Sequence, residues 1–290
     1  MREWSRTGRG TGENGGVISL VVLLLAASIG AADRAQEPDE HLLSFAVIGD
    51  WGSGLEFEDR IAARMCKYRE SHPFDLVITT GDNIYPDGAP KYFEDNFFTP
   101  FDCLLSAGVR FRSSLGNHDV LTESGKPELE EPAFGMKRRN YVVRESGVRF
   151  VIANSNKIRK KWLRRKTIAE EGDVWTIVVF HHPVYSPGPH GPTPGFSDWM
   201  PRLFRKRGVD LVLNGHDHLY SVSKPLKGLR YAVTGGGGAW PYECGKAWFT
   251  AKCRSRHHFL YITATETELK VRAVPPKGKP FARFSTEGLP

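Results

Sequence analysis

Residues 43–52 read Leu-Ser-Phe-Ala-Val-Ile-Gly-Asp-Trp-Gly, an apolar run closed by Gly49-Asp50. A short apolar run bounded by glycine, rich in Val, Ile and Phe, predicts a strand covered on both faces. The same grammar recurs along the chain. Leu76–Thr80 stops at Gly81-Asp82-Asn83-Ile84-Tyr85, and Arg110–Leu115 stops at Gly116-Asn117-His118-Asp119. Trp175–Phe180 stops at His181-His182-Pro183, and Val209–Leu213 leads into Gly215-His216-Asp217-His218. Amphipathic stretches at Glu56–Tyr68, Lys157–Glu171 and Ser197–Lys206 predict helices between such strands. Val148–Ala153 and Tyr231–Thr234 read as further strands, and Phe259–Thr265 with Leu269–Val274 as a closing hairpin. Strand and helix in alternation define an α/β class.

The polar residues gather where the strands end. In open α/β sheets, ligands bind beyond the carboxyl ends of the strands. Five such ends carrying Asp, Asn, Tyr and His therefore converge if the strands run parallel. Each fragment alone is weak, since a strand-end Asp is often a helix cap and Gly-Asn-His-Asp suits a turn. Together they supply oxygen and nitrogen ligands without thiolate, a set suited to Fe, Mn or Zn. A carboxylate bridging two ions is the usual arrangement for phosphate chemistry.

Outward from these blocks, Arg2, Arg6 and Arg9 precede an uncharged run from Asn14 to Ala32 that ends in small residues. A basic start, an apolar run and a small-residue exit predict a secretory signal peptide, with an uncleaved anchor as the alternative. Residues 1–32 are accordingly set aside, 33–42 read as a linker, 43–274 as the catalytic domain and 275–290 as a surface tail. Hydrophobic residues at 40% and charged residues at 25% exclude a disordered chain and a multi-span membrane protein. A formal charge of +7 favours anionic substrates without naming one. Cys66, Cys103, Cys244 and Cys253 allow three pairings; Cys244–Cys253, closing a short loop, is the expected one, with four free thiols the alternative. Lys157–Lys166 holds seven basic residues in ten, read as the solvated face of a helix rather than a nucleic-acid or membrane patch.

In order and spacing, the five blocks resemble the calcineurin-like metallophosphoesterases, and among them the small, tartrate-resistant purple acid phosphatases. The usual Asp-x-His of the first block is here Asp50-Trp51-Gly52, and Tyr85, three residues after Asp82, stands in for the missing imidazole. The resemblance implies an αββα sandwich with a binuclear metal site at the strand ends. It implies Fe(III) on Asp50, Asp82, Tyr85 and His218. A divalent ion (Fe, Zn or Mn) would sit on Asp82, Asn117, His181 and His216, with Asp82 bridging. It further implies in-line attack of a metal-bound hydroxide on a phosphate monoester. His118 and His190 would contact phosphate and leaving group, and Asp119 would orient His118.

The expected substrates are small phosphate esters, phosphoproteins or nucleotides, outside the cytoplasm, with membrane contact only through an uncleaved N-terminal segment. No nucleic-acid binding is expected. A Mn- or Zn-dependent phosphodiesterase or nucleotidase of the same fold is one alternative, and an inactive phosphate-binding protein another. His182 competes with His181 for the ligand role. Gly235–Gly238 could bring backbone amides to the site or form a plain turn, and Trp51 and Trp240 could wall the pocket or lie in the core.

Overall fold

The structure, a computed structural model, describes residues 40–287; the expected signal segment, and all but the last residues of the linker, lie outside them. In chain order the regular elements are β1 (His41–Ile48), α1 (Glu56–Arg69), β2 (Leu76–Thr79), α2 (Thr99–Ser106), β3 (Arg110–Arg112) and α3 (Lys126–Glu130). There follow β4 (Tyr141–Glu145), β5 (Val148–Ile152), α4 (Lys160–Lys166), β6 (Trp175–Val179), α5 (Phe196–Lys206) and β7 (Leu211–Asn214). The chain closes with β8 (Tyr220–Ser223), β9 (Arg230–Thr234), β10 (Thr250–Arg254), β11 (Phe259–Thr265), β12 (Glu268–Val274) and β13 (Ala282–Glu287).

Two mixed sheets result. One has the order β13-β12-β11-β1-β2-β3, the other β10-β8-β9-β7-β6-β5-β4. In the first, β1, β2 and β3 run parallel, with Val47 opposite Ile78 and Val77 opposite Phe111. In the second, β5, β6 and β7 run parallel, with Val178 between Val151 and Val212. The buried strands are apolar on both faces because each sheet faces the other sheet on one side and helices on the other. Phe45 meets Phe150 edge-to-face across the interface, ring centroids 5.0 Å apart, and the Trp175 indole N–H donates to Thr265 O at 2.6 Å. On one outer face Ile61, Met65, Phe101 and Leu104 of α1 and α2 join the central core. On the other, Leu163 of α4 and Met200 and Phe204 of α5 cover Val151, Val178 and Val212. The layers are those of an αββα sandwich.

Three expectations change. The helix predicted over Lys157–Glu171 is regular only over Lys160–Lys166, because the buried Arg149 guanidinium takes its terminal carbonyl: Nε and Nη2 donate to Lys166 O at 3.2 and 3.0 Å. The predicted tail contributes β13, which pairs antiparallel with β12 along the sheet edge. Strands β4, β8 and β10 and helices α2 and α3 were not anticipated. Two disulfides, Cys66–Cys103 and Cys244–Cys253, use all four cysteines; the first joins α1 to α2 and the second is the expected short loop. None of the described helices is long and apolar enough to cross a membrane.

Candidate metal centre

The parallel strands of both sheets deliver their end residues to one place. Asp50, Asp82 and His216 adopt left-handed backbone, with φ of 56°, 48° and 70°. Such backbone costs an L-residue roughly 1–2 kcal/mol each, and here it turns each side chain back over its strand end. The glycines beside them are required by close approach. A Cβ on Gly116 would lie 2.1 Å from Asp82 Oδ1, and one on Gly215 2.4 Å from Asp50 Oδ2.

Two groups of side chains form, sharing one oxygen. Asp82 Oδ2 lies 3.1 Å from the Tyr85 hydroxyl, which is 3.1 Å from His218 Nε2; His218 Nε2 is in turn 3.5 Å from Asp50 Oδ1. The same Asp82 Oδ2 lies 3.3 Å from His181 Nε2, which is 3.0 Å from Asn117 Oδ1 and 3.2 Å from His216 Nδ1. Backbone carbonyls fix which ring nitrogen faces inward. His181 Nδ1 bonds Thr80 O at 3.0 Å and His218 Nδ1 bonds Trp240 O at 3.0 Å, so each presents Nε2. Asp50, Asp82 and His181 are essentially without solvent contact.

The electrostatics call for positive charge. Burial, reinforced by Asp82, pushes the Asp50 carboxyl well above its ordinary range, and burial with the same carboxylates raises the Tyr85 phenol. Burial opposes a charge on His181, yet Asp82 and Asp50 outweigh it and lift the imidazole to about 9. Away from that pair, burial brings His218 down to about 4; burial and the neighbouring His181 bring His216 down to about 2, leaving lone pairs in place of protons. Among the described residues no Lys or Arg pairs with Asp50 or Asp82. Buried carboxylates beside neutral imidazoles, an amide oxygen and a phenol form a donor set that fits two cations.

The flanking residues divide differently from expectation. His118 Nδ1 bonds Pro86 O at 2.6 Å and its ring lies 4.5 Å from that of Tyr85, so it stands at the site. Asp119 does not orient it. Its carboxylate accepts from the backbone N–H of Asn83 (2.7 Å), Ile84 (3.2 Å) and Gly116 (2.6 Å), and so ties two strand-end turns together. With the Asn83 side-chain amide as a fourth donor its acceptor sites are taken, and His118 Nδ1 is already committed to Pro86 O. His190 reaches the site: its ring stacks on His216 at 4.3 Å, and its backbone N–H donates to the buried Asp217 Oδ1 at 3.1 Å. His182 is held by Ser155 Oγ at 2.8 Å and lies 4.6 Å from the His216 ring, beside rather than within the cluster.

Gly235, Gly237 and Gly238 donate their N–H groups to Leu219 O, Gly49 O and Asp50 O, so this is a packed turn. Trp51 is core, its indole bonded to Asn83 Oδ1 at 3.2 Å; Trp240 is 63% exposed beside the site.

Three residues that sequence reasoning passed over support the centre. Asn83 Nδ2 reaches Ser114 O, Asp119 and Glu128 at 2.8–3.0 Å, while its Oδ1 accepts from Thr79 and Trp51. Glu128 is fully buried beside Asp119, and burial with that neighbour's charge raises its carboxyl well above the usual range. Asp217 holds Ser186 Oγ and so the loop that carries His190. The signal for Asp217 was its place between His216 and His218; for Asn83 and Glu128 there was none, since the contacts of Asn83 to Ser114, Asp119 and Glu128 each span more than thirty residues.

Residues 43–220 match the family model described as calcineurin-like phosphoesterase. Purple acid phosphatase 17 of Arabidopsis thaliana is 29% identical over 262 residues, covering 77% of this chain and 78% of that protein. Tartrate-resistant acid phosphatase type 5 of Sus scrofa is 22% identical over 311 residues, covering 89% and 90%. Among solved structures, purple acid phosphatase PPD1 from yellow lupin (Lupinus luteus) seeds superposes with a TM-score of 0.72 at 17% identity, covering 86% of this chain and 54% of that one. With the matched blocks supplying both halves of the clustered site, the chain belongs to the calcineurin-like phosphoesterase family, and its curated relatives include purple acid phosphatases.

Proposed function

We propose that the chain is a secreted acid phosphatase that hydrolyses phosphate monoesters at an Fe(III)–M(II) centre, M being Fe, Zn or Mn. The observation that carries this reading is Asp82 Oδ2, within 3.1 Å of the Tyr85 hydroxyl and 3.3 Å of His181 Nε2. One carboxylate oxygen thus belongs to both donor groups. Asp50, Tyr85 and His218 would complete the ferric site, where a phenolate oxygen suits a hard trivalent ion, and Asn117, His181 and His216 the divalent one. When bound, such a pair neutralises phosphate oxygens and acidifies water near neutral pH.

The chain's own groups then position the ester. With Nδ1 committed to Pro86 O, His118 offers Nε2 to a phosphate or leaving-group oxygen. His190, stacked on His216, supplies a second imidazole beside the other donor group. Two disulfides agree with an oxidising, extracytoplasmic location.

The first measurement is the visible spectrum of the metal-loaded protein with its rate on an aryl phosphate monoester and on the matching diester. We expect a tyrosinate–iron band that disappears in Tyr85→Phe and a monoester rate well above the diester rate. No band in oxidised, iron-loaded protein would remove the ferric assignment. A faster diester would make the chain a phosphodiesterase.

A further inference from the structure

The basic run that the function does not use acquires a partner in the fold. Helices α4 and α5 lie side by side on the outer face of the second sheet, and a cleft runs between them lined by Arg164 from α4, by Trp199, Arg202 and Lys206 from α5, and by Arg207 directly after it. Lys160 joins it, its Nζ 5.1 Å from the Trp199 ring. Lys160 and Arg164 are spaced i, i+4, as are Arg202 and Lys206, so each helix turns a like-charged pair to the same cleft. Such pairs destabilise a helix by a few tenths of a kcal/mol. No ion pair among the described residues offsets them: the side chains of Lys160, Arg164, Arg202 and Lys206 form none, and the cleft's one acid is Asp198. Arg207 Nε is buried there without an acceptor. Lys161, Arg165 and Arg205 are exposed on the same two helices and extend the field.

Both helices that flank the cleft begin near the metal centre. The segment entering α4 bonds the site rim, with Asn156 Nδ2 donating to Gly116 O at 2.9 Å and Ser155 holding His182. The segment entering α5 is the loop that carries His190 against His216. Positive charge therefore leads from the rim outward along both helices.

We propose that the α4–α5 cleft docks a linear, phosphate-dense polyanion and leads its end toward the metal centre. Guanidinium forks match phosphate oxygens bidentately, and a groove flanked by repeating cations suits a repeating anion better than a flat one. Presentation of the chain end to the centre rests on the function proposed above; docking does not. Release of the terminal unit takes one water: its oxygen bonds the terminal phosphorus, the bridging P–O bond breaks, and orthophosphate leaves with a chain one phosphate shorter. The two protons of the water are shared between these products and the medium.

The test uses the full chain, metal-loaded, with medium-length inorganic polyphosphate as probe and heparin fragments of matched charge as the comparison. The variant Lys160→Gln/Arg164→Gln/Arg202→Gln/Lys206→Gln removes the cleft charge. A control, Lys137→Gln/Arg138→Gln/Lys277→Gln/Lys279→Gln, removes the same charge from exposed positions elsewhere. We expect the cleft variant to lose at least about tenfold in polyphosphate affinity at low salt and to show a shallower salt dependence. The control should stay within about twofold of wild type, and all three proteins should hydrolyse a small aryl phosphate equally. Equal losses in both variants, or heparin bound as tightly as polyphosphate, would overturn the proposal. If wild type hydrolyses no small monoester, the catalytic reading fails while the binding comparison still decides the cleft.

Discussion

Two regions of this molecule bury charge, and they do so in opposite ways. Around Arg149 the charge is closed on itself. The guanidinium has no solvent exposure, and its donors go to Asp173 Oδ2 at 3.0 Å, Glu170 Oε1 at 3.2 Å and Lys166 O. Arg144 adds a second cation to the same two acids. At the metal centre Asp50 and Asp82 are equally buried, yet they face imidazoles, a phenol and an amide rather than a guanidinium. The first arrangement holds a helix end against a sheet. The second leaves its demand for positive charge to be met from outside the chain. Burial alone therefore says nothing about function; the state of the partners does.

The largest effect should come from removing the oxygen that both donor groups share. Asp82→Ala is expected to bind fewer than about one metal ion per chain and to lose at least about a thousandfold in monoester kcat/KM. In chelator it should lose less stability than Arg149→Met, because its partner His181, 3.3 Å away, can release its proton once the carboxylate is gone, which a guanidinium cannot do. Metal analysis, kinetics and denaturant titration check this, and a large loss of stability in chelator would erase the contrast. Arg149→Met should do the reverse. It leaves the buried Asp173 to the partly exposed Arg144, costing about 3 kcal/mol by the same titration, while the rate per folded molecule stays that of wild type.

A smaller effect probes a third buried charge. Glu58, at the start of α1, accepts from Gly54 N at 2.8 Å but has one oxygen without a partner, and burial pushes its carboxyl up to about 9. The folded state therefore keeps a proton that the unfolded chain releases above its ordinary value of 4.5. Stability contributed this way is lost as pH rises between those values, by at most about 1.4 kcal/mol per pH unit. Glu58→Gln should flatten that decline and raise stability at pH 8 by roughly 1–2 kcal/mol. An unchanged slope in chemical unfolding from pH 6 to 9 would show that Glu58 is ionised in the fold.

Much of this was legible where the physics is local. A buried parallel strand must be a continuous apolar run, so β1, β2, β6 and β7 stood out together with the polar residue that ends each. The missing elements lack that signature. β8 reads Tyr-Ser-Val-Ser and β10 Thr-Ala-Lys-Cys-Arg, because the first tucks its serines under neighbours and the second is an exposed edge. α4 was drawn too long because Thr167–Glu171 has helical composition, whereas the terminating group, Arg149, lies eighteen residues upstream in a strand. Asp119, which the resemblance places behind His118, bonds Asn83 and Ile84 of another strand end, contacts that no local pattern signals.

The division of donors between the two sheets has a consequence for how the protein is made. The oxygen donors Asp50, Asp82, Tyr85 and Asn117 all follow β1, β2 and β3 of one sheet, and the nitrogen donors His181, His216 and His218 all follow β6 and β7 of the other. Each donor group mixes both kinds, so neither can be assembled from one sheet alone. A chain growing from its N-terminus carries every oxygen donor before the first of the three imidazoles has been synthesised, and it lacks a complete pocket until His218 has emerged and the layers have closed. Any ion held by the full donor set could therefore be held only after both sheets are in place.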